Sequence, residues 1–380
     1  MPVTPAIAAL GLVLLAGLMA CAWCWLILAA RTALTYGWIT GSAAAGLEDA
    51  LKTSLRVEPR LPIIAWSPRR PVPWAILDLA LLLGIWLLLQ VALVAVASAA
   101  GWKFGEGLEK LSLPQRQIMI LANIVLSLGI LAVGLPLIAL RTGATPRDFG
   151  WSTRDFVADL RTGLVGLVML APPVYALQAL LVTIWQPSAH PLIEMFKGTP
   201  NSGFFVLLFV TAAIVAPLFE ELIFRVILQG FLERAFSHDG PLHELLWDRP
   251  HSRPELVLPA ALVEPLGALA EVAGESVQAE LNPYIPPPAL IEPPPAKPTG
   301  DELEQPELRL PLAWCAIGIS ATIFALLHLG HGPDWVSLLP LAAGMGYLYQ
   351  RTHRLLPSLV VHFGLNSLSM WMLWVHIYSS

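Results

Sequence analysis

Apolar residues along this chain neither alternate nor keep to one face of short helices; they run on for stretches near the roughly 20 residues that a bilayer requires. Eight such stretches follow one another, at 6–30, 74–100, 118–140, 162–185, 204–236, 312–329, 335–349 and 356–377. Lipid cannot hydrogen-bond backbone amides, and the runs are too long and continuous for barrel strands. The expectation is therefore an all-α fold, a polytopic transmembrane helical bundle of about eight spans. The seventh run is short enough to be tilted or partly re-entrant. The first is too long for a signal-peptide core and has no basic segment before it, so it reads as a retained span.

Composition agrees with this pattern. Of 380 residues 56% are apolar and only 13% charged, with a mean hydropathy of +0.67; soluble chains carry about 25% charged residues. A secreted disulfide scaffold, a collagen-like chain and a disordered tail are excluded. Cys21, Cys24 and Cys315 all lie in apolar stretches and read as small packing residues, with no disulfide framework.

The net charge of −5 is unevenly spread, since residues 238–311 hold thirteen Asp or Glu against four Lys or Arg. That stretch also has ten prolines between 283 and 311 and few aromatics, so it cannot build a core. It reads as an acidic, Pro-rich insertion on the cytoplasmic side, a spacer or the docking segment for a protein partner. It divides the chain into an N-terminal helix with a basic loop (1–71), the first part of a membrane bundle (72–237), the insertion (238–311) and the second part of the bundle (312–380). Lys and Arg number seventeen in the connections after runs one, three, five and seven and four in the others. That bias puts both termini outside, in what reads as a bacterial cytoplasmic membrane. No basic stripe for nucleic acid is present.

A charged side chain at mid-bilayer costs at least about 2.5–3.5 kcal/mol, so intramembrane Glu, Arg and His are functional candidates. Three clusters qualify. In Pro217-Leu218-Phe219-Glu220-Glu221-Leu222-Ile223-Phe224-Arg225, Glu221 and Arg225 are four apart on one helical face and can neutralise each other. Glu220 is turned away by about 100° and has no such local partner, which suits a general base. Pro217 removes a helical N–H just before the pair. The second cluster is Phe324-Ala325-Leu326-Leu327-His328, near the end of the sixth run and at a depth similar to Glu220 when both helices are measured from the insertion. The third is His362-Phe363-Gly364-Leu365-Asn366, where His362 and Asn366 share a face and Gly364 thins the helix so that a backbone or a substrate can approach. His243, His251 and His353 fall in connections and are expected to meet solvent.

Glu-Glu-x-x-x-Arg, then Phe-x-x-x-His, then His-x-x-x-Asn on successive apolar segments resembles the CPBP (Abi) family of intramembrane proteases, which includes type II CAAX prenyl endopeptidases. Ala216-Pro217 ahead of the acidic pair and the stretch from Gly346 to Thr352 before the last run fit as well. The resemblance covers 207–368, interrupted by the insertion, which is longer than the usual loop of the family. It implies a peptidase in which Glu220 and His328 hold and deprotonate a water, while His362 and Asn366 donate to the oxyanion. Such a role is worth about 2.7–4 kcal/mol per donor in better-studied hydrolases. Glu221 and Arg225 then support the helix and its local field, and Phe324 is packing. The substrate it implies is a membrane-associated or lipidated protein or peptide.

Family members are often named metalloproteases, and Glu220, His328 and His362 could supply three zinc ligands. No H-E-x-x-H pairing is present, however, and an oxyanion role uses the spacing of His362 and Asn366 more fully, so metal-independent hydrolysis without a cofactor is favoured. Two other classes bury polar residues in membranes. A proton-coupled transporter would show two related halves with matched broken helices, and a non-catalytic scaffold would act through the insertion.

Overall fold

In a computed structural model of the chain, the described residues are 5–35, 37–54, 64–103, 111–185, 196, 201–238, 242–247, 310–329 and 332–379. They belong to one compact unit, Met1–Asp248 with Gln305–Ser380; the other unit, Arg249–Glu304, lies outside the described residues, and with it nearly all of the acidic insertion.

Each of the eight apolar runs is a helix. With the short α2 (Gly41–Asp49), they are α1 (Pro5–Thr35), α3 (Ile76–Ala99), α4 (Leu113–Thr142), α5 (Phe156–Ile184), α6 (Ser202–Phe236), α7 (Leu310–Leu326), α8 (Asp334–Thr352) and α9 (Leu355–Ser379). Six of them, α1, α3, α4, α5, α6 and α9, are long and apolar enough to cross a membrane. The expected count of about eight spans is thus approximate, since α7 is a shorter apolar helix and α8 carries Asp334, Gln350 and Arg351. The ends follow local chemistry. Ser112 starts α4 by donating from its N–H and its hydroxyl to Gln115 Oε1, both at 2.9 Å, and Gly143 stops it in the left-handed region at φ 70°.

The centre of the bundle is α6, which touches α3, α4, α7, α8 and α9, and every residue from Glu221 to Phe231 is buried. In lipid there is little hydrophobic drive between helices, so close packing must hold them, and small residues permit it. Gly163 and Gly166 of α5 lie against α9 and α8. A Cβ on Gly163 would stand 2.8 Å from the Pro357 carbonyl oxygen and 2.6 Å from the Val360 Cβ. Gly364, expected to leave room for a backbone or a substrate, is covered by the Leu167 side chain instead.

Five short stretches of alternating pitch make up α6: α-helical Ser202–Phe209, π-helical Val210–Val215, α-helical Ala216–Glu221, π-helical Leu222–Gln229 and α-helical Gly230–Phe236. The first change of pitch can be traced. The Ala216 N–H reaches back five residues to the Thr211 carbonyl. In that register the Ala212 carbonyl would take the N–H of residue 217, but Pro217 has none. A buried carbonyl cannot stay unpaired cheaply, and the Asn366 amide of α9 donates to it at 2.8 Å.

An irregular strap, 64–75, crosses the end of the bundle where α6 finishes. Ser67 N–H donates to the Arg351 carbonyl at 2.8 Å, Arg69 donates to Tyr349 Oη and to Glu233, both at 2.7 Å, and Arg234 donates to the carbonyls of Val72 and Trp74. His353 is part of this junction. It was expected to meet solvent, yet it is buried, with Nδ1 2.6 Å from the Ser67 carbonyl and Nε2 3.2 Å from Glu233. The strap folds over it, which a connection of two residues between α8 and α9 could not announce.

Candidate active site

Adjacent positions on α6 put Glu220 and Glu221 about 100° apart around the helix, and the two carboxylates meet different surroundings. The Glu221 side chain is sealed (0% exposed), 3.4 Å from the equally sealed Arg225 guanidinium one turn on. Glu220 keeps 23% of its side chain accessible, so it is the carboxylate that can meet water or a substrate. Both face His362 of α9. Its Nδ1 is 3.0 Å from Glu221 Oε1, and its Nε2 is 3.5 Å from Glu220 Oε2.

Arg225 is held from a second helix. Its Nη1 donates to Ser320 Oγ of α7 at 3.2 Å, and that hydroxyl donates to the Phe224 carbonyl at 2.8 Å. The guanidinium lies 5.3 Å from the centre of the Phe324 ring, which is itself fully buried. Phe324 is the packing residue around which the site is assembled. Its ring meets His328 at 4.9 Å, His362 edge-on at 5.8 Å and Phe224 edge-on at 5.4 Å.

His328 is not within the sixth helix, as its apolar run suggested. α7 ends at Leu326 and His328 sits in the turn that follows. The ring folds back so that Nδ1 is 2.9 Å from the Phe324 carbonyl, one of the last carbonyls of α7, which have no helical partner. Only a protonated Nδ1 can donate to a carbonyl, which makes Nε2 the acceptor nitrogen of a neutral ring. Both histidines thus spend Nδ1 on structure, and the Nε2 of His362 faces Glu220. The Glu220 carboxylate lies in the electrostatic field of His362 and His328 alike.

Asn366 lies one turn beyond His362 on the same face of α9. Its side-chain amide donates to the Ala212 carbonyl, which orients the group. Glu220, Glu221, Arg225, Phe324, His328 and His362 are therefore brought into one constellation from α6, α7 with its following turn, and α9, with Asn366 bordering it. An apolar cavity of about 470 Å³ opens elsewhere, between Phe205, Val206 and Phe209 of α6 and Trp371 and Trp374 of α9.

Two buried serines at the site escaped the sequence reading. Ser320 bridges Arg225 to α6, and the Ser358 hydroxyl is within reach of Glu221. The signal was there in the spacing. Ser320, Phe324 and His328 are four apart in turn, as are Ser358, His362 and Asn366, so each serine extends a polar face already noticed by one helical turn.

Among the described residues, no three His, Cys, Asp or Glu side chains converge to hold a metal ion. What the residues present can do is hold a water beside an accessible carboxylate and an imidazole acceptor, with two further polar groups on the facing helix.

Residues 202–262 and 302–368 match the family model described as Type II CAAX prenyl endopeptidase Rce1-like. The two stretches cover about a third of the chain and include all seven candidate residues, from Glu220 to Asn366. The resemblance to the CPBP (Abi) family read from the three motifs is supported by this match, which also supports a peptidase in an integral membrane protein. Comparison with curated proteins and with solved structures gives no match.

Proposed function

We propose that this chain, with an Rce1-like endopeptidase match spanning its buried polar constellation, is an intramembrane endopeptidase. It hydrolyses a peptide bond in a membrane-associated or lipidated substrate with a glutamate-activated water and no metal. The observation that carries this reading is the contrast between two neighbouring carboxylates: Glu221 is sealed against Arg225, while Glu220 remains accessible beside His362.

Glu220 takes one proton from the water as its oxygen bonds to the substrate carbonyl carbon. His328 Nε2, the acceptor nitrogen once Nδ1 is committed to Phe324, holds the same water in line. The carbonyl oxygen becomes an oxyanion and accepts hydrogen bonds from His362 and Asn366, both fixed on α9 before the reaction begins. As the C–N bond breaks, Glu220 returns its proton to the departing nitrogen. Arg225, Ser320 and Phe324 touch no reacting atom and hold the constellation together. By the distribution of Lys and Arg, the site is reached from the cytoplasmic side of a bacterial membrane and both termini lie outside. The acidic insertion is a spacer or a docking segment for a protein partner on the same side.

The test is cleavage of a library of membrane-anchored and soluble peptides by the full chain reconstituted in liposomes, with products read by mass spectrometry. The wild type should cut with or without a chelator, and His328→Ala should cut at least about 100-fold more slowly. Loss of cleavage on chelation, restored by zinc, would overturn the metal-independent mechanism. Ion or solute uptake without cleavage would overturn the peptidase.

A further inference from the structure

The mechanism asks His362 to donate through Nε2 to an oxyanion, yet Nδ1 of the same ring already faces the Glu221 carboxylate at 3.0 Å. A neutral imidazole has one N–H. With Arg225 3.4 Å away and both side chains sealed, Glu221 is held as an anion and can only accept, so the single proton of a neutral ring would sit on Nδ1 and Nε2 could not donate. Charge points the same way. Glu220, Glu221 and Arg225 alone leave one net negative charge in a site walled by apolar helices, and an uncompensated buried charge is expensive. A proton shared into the 3.5 Å gap between Glu220 and His362 and resting on Nε2 makes the four groups neutral together.

The groups that face His362 from each packed element are few. α6 contributes Glu220 and Glu221, with Arg225 behind; the turn after α7 contributes His328, whose Nδ1 is spent on Phe324; and α9 itself contributes Ser358. α5 presents Gly163, Gly166 and Leu167 to α9, its Asp159 being paired with Arg354, and α8 presents Leu341, Met345 and Leu348.

We propose that Glu221 is the positioning residue of His362: it accepts the Nδ1–H, turns Nε2 toward Glu220, and provides the negative charge that lets the ring carry its second proton while it donates to the oxyanion. Glu221 touches no substrate atom. The proton balance is unchanged, since the water proton still travels through Glu220 to the leaving nitrogen and the imidazolium is the same before and after. The proposal rests on the hydrolytic reading above, but its first test does not.

That test is nitrogen-15 NMR of the full chain, labelled at histidine and held in lipid nanodiscs, with the His362 signals assigned through His362→Gln. At neutral pH the expected ring is doubly protonated, with the Nδ1–H in a hydrogen bond to a carboxylate. A neutral ring carrying its proton on Nε2 would overturn the proposal, and so would one carrying it on Nδ1, which could not donate. This measurement uses the wild type, so it stands even if a Glu221 variant fails to fold. Where Glu221→Gln does fold, kcat should fall by at least about tenfold with KM little changed, because Nε2 is no longer held as a donor to the oxyanion; Glu221→Asp should restore part of the loss. An unchanged kcat would overturn the proposal. If Glu220→Gln cleaves like the wild type, the hydrolytic reading fails, while the NMR result still decides the part played by Glu221.

Discussion

Glu220 and Glu221 differ by one position in sequence and by nearly everything in environment, and it is the neighbours that make the difference. Glu221 is enclosed by Arg225, His362 and Ser358, and Arg225 in turn depends on Ser320. Ser320→Ala should therefore leave one Arg225 N–H without that partner and cost about 1–3 kcal/mol, read as a lower melting temperature in detergent. The pairing of Glu221 with Arg225 was legible because an i, i+4 spacing on a helix fixes it. The contact of His362 with both carboxylates was not, since it depends on how α9 packs on α6. A second residue-level outcome lies outside the membrane, at Asp148. Burial pushes its carboxyl up, but hydrogen bonds from Arg70 and Thr145 outweigh this and hold it below the usual carboxylate range. A depressed carboxylate stabilises the fold above its unfolded value and loses that contribution as the pH falls below about 4. Asp148→Asn should be less stable than the wild type at neutral pH, and the gap should close in acid unfolding curves below that pH.

Among the helices, α6 is the least regular and carries most of the chemistry. Three of its carbonyls accept a side-chain donor from elsewhere in the bundle: Asn366 of α9 at Ala212, Ser320 of α7 at Phe224, and Trp74 of the strap at Ile227, the last at 3.1 Å. π turns interrupt helices most often at functional sites, and here one carbonyl is left over because residue 217 is proline. Pro217→Ala restores an N–H that can take the Ala212 carbonyl. The cost of Asn366→Ala, measured by unfolding, should then be smaller in the Pro217→Ala background than in the wild type; additive costs would break the link between the two residues. At the α5–α9 contact, Gly163→Val should destabilise by about 1–3 kcal/mol, because the new Cβ meets the Pro357 carbonyl. The eight helices could be read from apolar run length alone, since lipid demands it. The end of α7 could not: Leu327 and Leu329 continue the apolar text past the point where His328 folds back and caps the helix.

Across the whole molecule, a lipid-facing surface conceals a short list of polar connections, and the strap at 64–75 makes many of them. Arg69 joins the end of α6 to the end of α8 through Glu233 and Tyr349, and removing it leaves the Glu233 carboxylate buried without that partner. Arg69→Ala should cost about 3–5 kcal/mol. The sequence counted Arg69 and Arg70 only as part of a basic loop, because nothing in local spacing tells a solvated arginine from one that folds inward. The order of three motifs on three helices, by contrast, pointed to a shared site before any contact was known, and α6, α7 and α9 do bring those motifs together. Whether that constellation cuts peptide bonds turns on Glu220. The decisive measurement is kcat/KM for one cleaved peptide, compared between wild type and Glu220→Gln in liposomes, with matching unfolding curves as proof of an intact fold. A fall of at least about 100-fold is predicted, and cleavage by Glu220→Gln within tenfold of the wild type would contradict the account.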